Sequence, residues 1–294
     1  NIFKEFIEKG KTVLSNRSFR IMLGLYLLSY TAMDIFMAIF IYYVKWYMNI
    51  YAMESAKILF LGSYTGLLGI FMISEVLSIP VYTHLANKLG KKISFMISTG
   101  LWAFATILLF LMAAPNRELI FLIIPAVLMG FGAGGVAYLP WAMLPETMDV
   151  EELKTGVRKD GIYSGFLTFI RQLSQAVALA IVGLFLDSID YNVGGIIEGL
   201  KNSGVIPALT LDGEGMTDFY RNIIFAKVNE NASIGSSIKL FTSLAPCLLL
   251  IASCLVASLY PIDISSYKLL KDEIKNRNTK DPESLEKLKK MTGK

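Results

Sequence analysis

Six apolar segments dominate the sequence, at about residues 20–44, 58–83, 93–114, 118–144, 162–186 and 238–260. Each approaches or exceeds the roughly 20 apolar residues a helix needs to cross a bilayer. Most are longer than a helix of an ordinary soluble domain. Of the 294 residues 54% are hydrophobic and 18% charged, whereas a soluble domain has about 25% charged residues. The expected fold is therefore an all-α polytopic membrane protein with six transmembrane helices. It divides into an amphipathic linker (1–19), a six-helix bundle (20–262) with one long external loop (187–237), and a basic tail (263–294).

Lys and Arg give the expected orientation, because cytoplasmic segments carry the excess. Twenty of the 28 fall on the side holding both termini, seven on the other, and Arg171 lies within a span. Both termini are expected in the cytoplasm. Residues 1–15 place Ile2, Phe3, Phe6 and Ile7 beside Lys4, Lys9 and Lys11, the pattern of a helix lying on an anionic membrane face or, equally, of a frayed linker. The tail reads as solvated and partly helical. In the external loop, Ile196–Leu200 and Asp218–Val228 are expected as short helices between turn signals. The chain starts with Asn rather than Met, so either its start has been removed or it is expected to be part of a longer polypeptide. The basic residues form no face interleaved with aromatics, so no nucleic-acid partner is expected. Cys247 and Cys254 lie two turns apart on one helix, too far for a disulfide.

A charge at mid-span costs at least about 2.5–3.5 kcal/mol and is seldom carried without use. Three residues carry that cost: Asp34 in the first span, Glu75 in the inner half of the second and Arg171 in the inner half of the fifth. Their depths suit a salt bridge between Arg171 and Glu75. Ser164, Thr168, Arg171 and Gln175 share one helical face. Four polar groups including a guanidinium are more than a packing contact needs, so the face is expected to line a cavity. Asp34 shares a face with Tyr30 and Thr31.

In the fourth span, Gly130-Phe131-Gly132-Ala133-Gly134-Gly135 follows no strand and cannot serve as a dinucleotide loop. Small residues inside a span instead permit close helix contact or a bend. Tyr138, Pro140, Trp141 and Pro145 follow. They fit either an interfacial aromatic anchor or a hinge whose aromatics form a ligand platform. His84 has no Cys, Asp or second His at ligand spacing. No G-x-S-x-G, H-E-x-x-H or P-loop is present, so neither an enzyme nor a resident metal or cofactor is expected.

Several stretches together resemble the glycoside–pentoside–hexuronide:cation symporters of the major facilitator superfamily. Asn16-Arg17-Ser18-Phe19-Arg20 resembles the entry to their seventh helix. His84-Leu85-Ala86-Asn87-Lys88-Leu89-Gly90-Lys91-Lys92 is similar to the superfamily's "L-A-D-K-x-G-R-K" loop, with Asn87 in place of its Asp. The stretch Pro140–Asp149, continued by Lys154–Ser164, resembles the signature between the tenth and eleventh helices. Tyr260-Pro261-Ile262-Asp263 resembles the exit from the twelfth.

The resemblance implies the C-terminal six helices of a symporter. An absent N-terminal half would be the partner and would bind most of the coupling cation, Na+ or H+. It implies that Arg171 stands where the family commonly has a Lys joining cation and substrate sites, eight residues after Tyr163. A guanidinium stays protonated, so a fixed positive charge answering a carboxylate or an anionic ligand is expected. Substrate contacts fall to Arg171, Thr168, Gln175, Tyr138 and Trp141, and a cytoplasmic gate to Glu146, Asp149, Arg158 and Asp160, exchanging ion pairs with the other half. Relatives carry either glycosides or lysophospholipids. Pro140-Trp141 and Leu186-Asp187…Tyr191 lean toward the latter, and Lys154–Arg158 toward the former. The alternative outside transport is a six-span scaffold or regulatory protein whose polar face only packs helices.

Overall fold

In a computed structural model the described residues are 10–11, 13–48, 64–112, 114, 120–189, 191, 193–205, 223–227 and 233–276. Among them there is no strand. Helix α1 spans Arg17–Tyr42 and is prolonged by a π-helical turn, Tyr43–Tyr47. Then come α2 (Tyr64–Leu89), α3 (Lys91–Met112), α4 (Ile120–Thr155), α5 (Asp160–Ser188), α6 (Val193–Asn202), α7 (Ser233–Ser258) and α8 (Ile264–Asn276). Six of these, α1 to α5 and α7, are long and apolar enough to cross a membrane. The chain is an integral membrane protein.

The helix boundaries follow local chemistry. Asn16 caps α1 by accepting a hydrogen bond from the Phe19 amide at 3.2 Å, the side-chain role that Asn plays at helix starts. Gly90 separates α2 from α3 with φ +91°, and Gly156 follows the end of α4 with φ +70°; both lie in the left-handed region that only glycine enters without cost.

Helix α4 is the axis of the bundle and packs on α2, α3 and, less extensively, α1. Lipid tails are as apolar as the side chains, so close van der Waals contact rather than water exclusion joins membrane helices. The glycine run provides that contact. A Cβ on Gly130 or Gly134 would collide with the Phe71 or Glu75 carbonyl of α2, and one on Gly132 or Gly135 with Trp102 or Ser98 of α3. Around this crossing Phe36, Phe71 and Trp102 form an aromatic cluster with ring centroids 6.1–6.5 Å apart. Helix α7 packs on α1 and α3, and α5 is held chiefly by α1. Helices α2 and α5 are the least buried of the six spans.

Three sequence expectations change. Helix α4 does not stop near residue 144 but continues through Pro125, Pro140 and Pro145 to Thr155. A proline leaves the preceding turn short of a hydrogen bond, and here outside donors reach those turns: the Tyr30 hydroxyl donates to the Ala137 carbonyl at 2.8 Å and Lys91 Nζ to that of Ala142 at 2.6 Å. The second helix runs on to Leu89 rather than ending near residue 83. The tail is solvated only in part, since α8 lies against α4 and buries Leu270. In the external loop α6 covers the first expected short helix, and 223–227 is helical within the second. Most of the expected N-terminal amphipathic helix lies outside the described residues.

Candidate functional site

Four-residue spacing puts Tyr26, Tyr30 and Asp34 on one face of α1, and α5 approaches that face. Arg171 of α5 grips both carboxylate oxygens of Asp34, Nη1 at 2.7 Å and Nη2 at 2.8 Å. Their side chains are 20% and 10% exposed, and the fork geometry matches a carboxylate best. The Tyr30 ring lies 4.7 Å from the guanidinium carbon, close enough for a cation–π attraction. Tyr30 also accepts a hydrogen bond from Trp141 Nε1 at 3.3 Å. Below them Thr31 and Ser174 share a hydrogen bond of 2.7 Å, which fixes the rotation of α5 against α1. Tyr26 lies tilted against Tyr30, ring centroids 4.3 Å apart, and meets Trp141 edge-on. Its buried hydroxyl has no hydrogen-bond partner among the described residues, and an orphaned buried donor is costly unless a water or ligand atom answers it.

The structure therefore brings together Arg171, Asp34 and Trp141 of the expected set and adds Tyr30 and Tyr26. It does not gather the rest. The partner of Arg171 is Asp34 and not Glu75: the guanidinium turns toward α1, and the Glu75 carboxyl has no ion pair among the described residues. Thr168 is exposed and donates to the Ser164 carbonyl of its own helix at 2.9 Å, Gln175 is exposed, and Tyr138 is half-buried. The polar face of α5 is thus divided between one residue that binds α1 and two that stay open.

A second polar cluster closes the end of the bundle where α1 begins. Lys91 pairs with Glu146 at 2.9 Å, and Tyr260 donates to the other oxygen of the same carboxylate at 3.2 Å. Arg158 binds Asp149 at 2.6 Å and Asp160 at 2.8 Å, while Tyr267 of α8 donates to Asp149 at 3.0 Å. Lys159 pairs with Glu151 at 3.2 Å. Lys92 donates to the Ser258 and Tyr260 carbonyls at the end of α7, where a cation suits the helix terminus. Burial, with the neighbouring carboxylates, pushes the Tyr260 and Tyr267 phenols above their ordinary range. The four expected gate residues thus all have partners inside this chain. No group of three His, Cys, Asp or Glu side chains placed to hold a metal occurs among the described residues.

Comparison with known proteins gives the context for this geometry. A family model described as MFS/sugar transport protein matches residues 4–264. Relatives include an uncharacterized symporter of Synechocystis, 29% identical over 62% of this chain and 31% of its own length. A putative sulfoquinovose importer of Escherichia coli is 27% identical over 89% of this chain and 46% of its own length. The sodium-dependent lysophosphatidylcholine symporter 1-A of Danio rerio is 24% identical over 78% and 37%. The chain spans less than half the length of each of these relatives.

Proposed function

The chain belongs to the MFS/sugar transport protein family, and from that premise we propose that it forms the C-terminal half of a cation-coupled symporter moving a sugar or glycoside by alternating access. Its relatives agree with membership of the glycoside–pentoside–hexuronide:cation symporters. In this reading six further helices pair with it, both termini face the cytoplasm, and the two halves rock about a midplane site. The partner half supplies most of the site for a coupling Na+ or H+.

The observation that carries the reading is the Arg171–Asp34 pair at mid-depth, with the Tyr30 ring on the guanidinium and the orphaned Tyr26 hydroxyl beside it. An ion pair within a span is expensive as mere packing. A ligand oxygen that reached Arg171 would compete with Asp34, and a ligand hydroxyl would answer Tyr26. Relatives named for sulfoquinovose, 2,3-dihydroxypropane-1-sulfonate and lysophosphatidylcholine suit a permanent cation in the site. Trp141, 42% exposed beside Tyr30, favours a second reading in which the substrate is a lysophospholipid laid on an aromatic surface.

The test is thermal unfolding of the detergent-purified carrier against glycosides, sulfonated sugars and lysophospholipids, each with and without sodium. A ligand that binds the folded state raises the melting temperature. A sodium-dependent rise with one class supports transport and names the class. No rise with any of them in folded protein favours a non-transporting six-span scaffold.

A further inference from the structure

Three charged side chains sit near the middle of the spans, and only two are matched. Asp34 already holds both terminal nitrogens of Arg171, which leaves Glu75 of α2 without a counter-charge among the described residues. No hydrogen bond to the Glu75 carboxyl is made by any described residue; its backbone carbonyl alone is engaged, by the Ser78 hydroxyl at 2.7 Å. The helix places it about 16 Å from the start of α2 and about 21 Å from its end, at 1.5 Å per residue. Exposed Met72, Ile73, Val76 and Leu77 flank it along the helix, and the neighbouring buried hydroxyls are those of Ser74 and Ser78, so most of its neighbours on α2 are apolar.

An ionised carboxylate without partners in such a place takes up a proton rather than remain charged. Few other ionisable groups are near enough to change this. The facing stretch of α3, Phe95 to Thr106, carries none. From α4 there is the Tyr138 phenol and on α2 itself that of Tyr82. From α1 there is Tyr30, whose phenol lies within electrostatic reach of Glu75 and carries the Arg171 guanidinium on its ring. A metal cation would need several oxygen ligands, and no group of three suitable side chains gathers here among the described residues.

We propose that Glu75 is a proton-binding site of the carrier, loaded while Asp34 holds Arg171 and unloaded when that guanidinium is released. The proton comes from water on the side to which the site is open and returns to water on the other. The role in coupling rests on the transporter reading. A substrate anion that took Arg171 from Asp34 would place a free positive charge beside Tyr30 and favour the ionised form of Glu75.

The test is infrared spectroscopy of the whole carrier in liposomes as pH is raised, with sodium and with potassium, and with the proton itself as the probe. The expected result is a carboxylic-acid carbonyl band that titrates, is absent from Glu75→Gln, and is unaffected by sodium. In Asp34→Asn its midpoint should move at least one pH unit lower, and in Arg171→Gln it should not move lower. A band unchanged in Glu75→Gln overturns the site. An unmoved midpoint in folded Asp34→Asn overturns the link to Arg171, and a band abolished by sodium replaces the proton by a metal cation. None of these readouts uses transport, so glycoside uptake measured in the same liposomes tests the transporter reading separately.

Discussion

Arg171 and Asp34 stand 137 positions apart in the chain and meet through two parallel hydrogen bonds of 2.7 and 2.8 Å. Removing one partner leaves the other charged and unanswered. Asp34→Ala and Arg171→Ala are each expected to lower unfolding stability by about 3 kcal/mol, the low end of what breaking a buried pair costs. Arg171→Lys should recover only part, because an ammonium cannot make the fork. Under the transporter reading Arg171→Gln abolishes coupled uptake while the protein still reaches the membrane. Thermal melts and uptake on equal amounts of folded protein check both, and wild-type uptake in Arg171→Ala would sink the assignment.

Tyr30 acts through two separable parts. Tyr30→Phe removes the hydroxyl that donates to Ala137 and accepts from Trp141, at a cost of about 1 kcal/mol, and keeps the ring on Arg171. Tyr30→Leu removes the ring as well, adding about 0.5–2 kcal/mol. Equal losses from the two substitutions in denaturant titrations would show that the cation–π contact contributes nothing.

The α2–α4 crossing tolerates no side chain at Gly134. Gly134→Ala would drive its methyl group into Ser78 Oγ and the Glu75 carbonyl, with an expected cost of about 1–3 kcal/mol. Gly165→Ala, at a position on α5 with open space around its Cβ, should stay within about 0.5 kcal/mol of the parent. Melting temperatures of the pair check this contrast, and equal melting would refute close packing at Gly134.

Alkaline pH should loosen the end of the bundle held by Tyr260 and Tyr267. Both phenols are raised by burial above the ordinary tyrosine value of 10.0. The folded state therefore keeps protons that the unfolded chain releases, so their contribution is complete below pH 10 and is lost as pH rises beyond it. Melting temperature measured from pH 8 to 11 should fall at the upper end. The double variant Tyr260→Phe, Tyr267→Phe should start lower and fall less steeply; an unchanged slope would exclude these two groups as its origin.

Hydropathy revealed the six spans because each is a continuous run whose length is set by the bilayer. The same run hides where a helix leaves the membrane, which is why α4 was expected to end near residue 144: Glu146, Asp149 and Glu151 belong to the helix but not to the apolar pattern. Depth was legible for the intramembrane charges, but rotation about the helix axis was not. Arg171 is deep enough for either acid, and the contact between Thr31 and Ser174 turns it toward Asp34. The four-residue spacing of Tyr26, Tyr30 and Asp34 was a usable signal for the aromatic surface. The orphaned Tyr26 hydroxyl was not, since it depends on what the neighbouring helices fail to offer.

The long separation between the two halves of the mid-membrane ion pair also orders events during synthesis. At about 5–20 residues per second, Asp34 leaves the ribosome on the order of ten seconds before Arg171 exists. Helix α1 is therefore made before the guanidinium that grips its acid, and the two parallel hydrogen bonds close only when α5 arrives. The helix that depends chiefly on α1 for its place in the finished bundle is thus also the one α1 waits for, and slowing translation between them lengthens the interval in which the nascent chain is exposed to quality control.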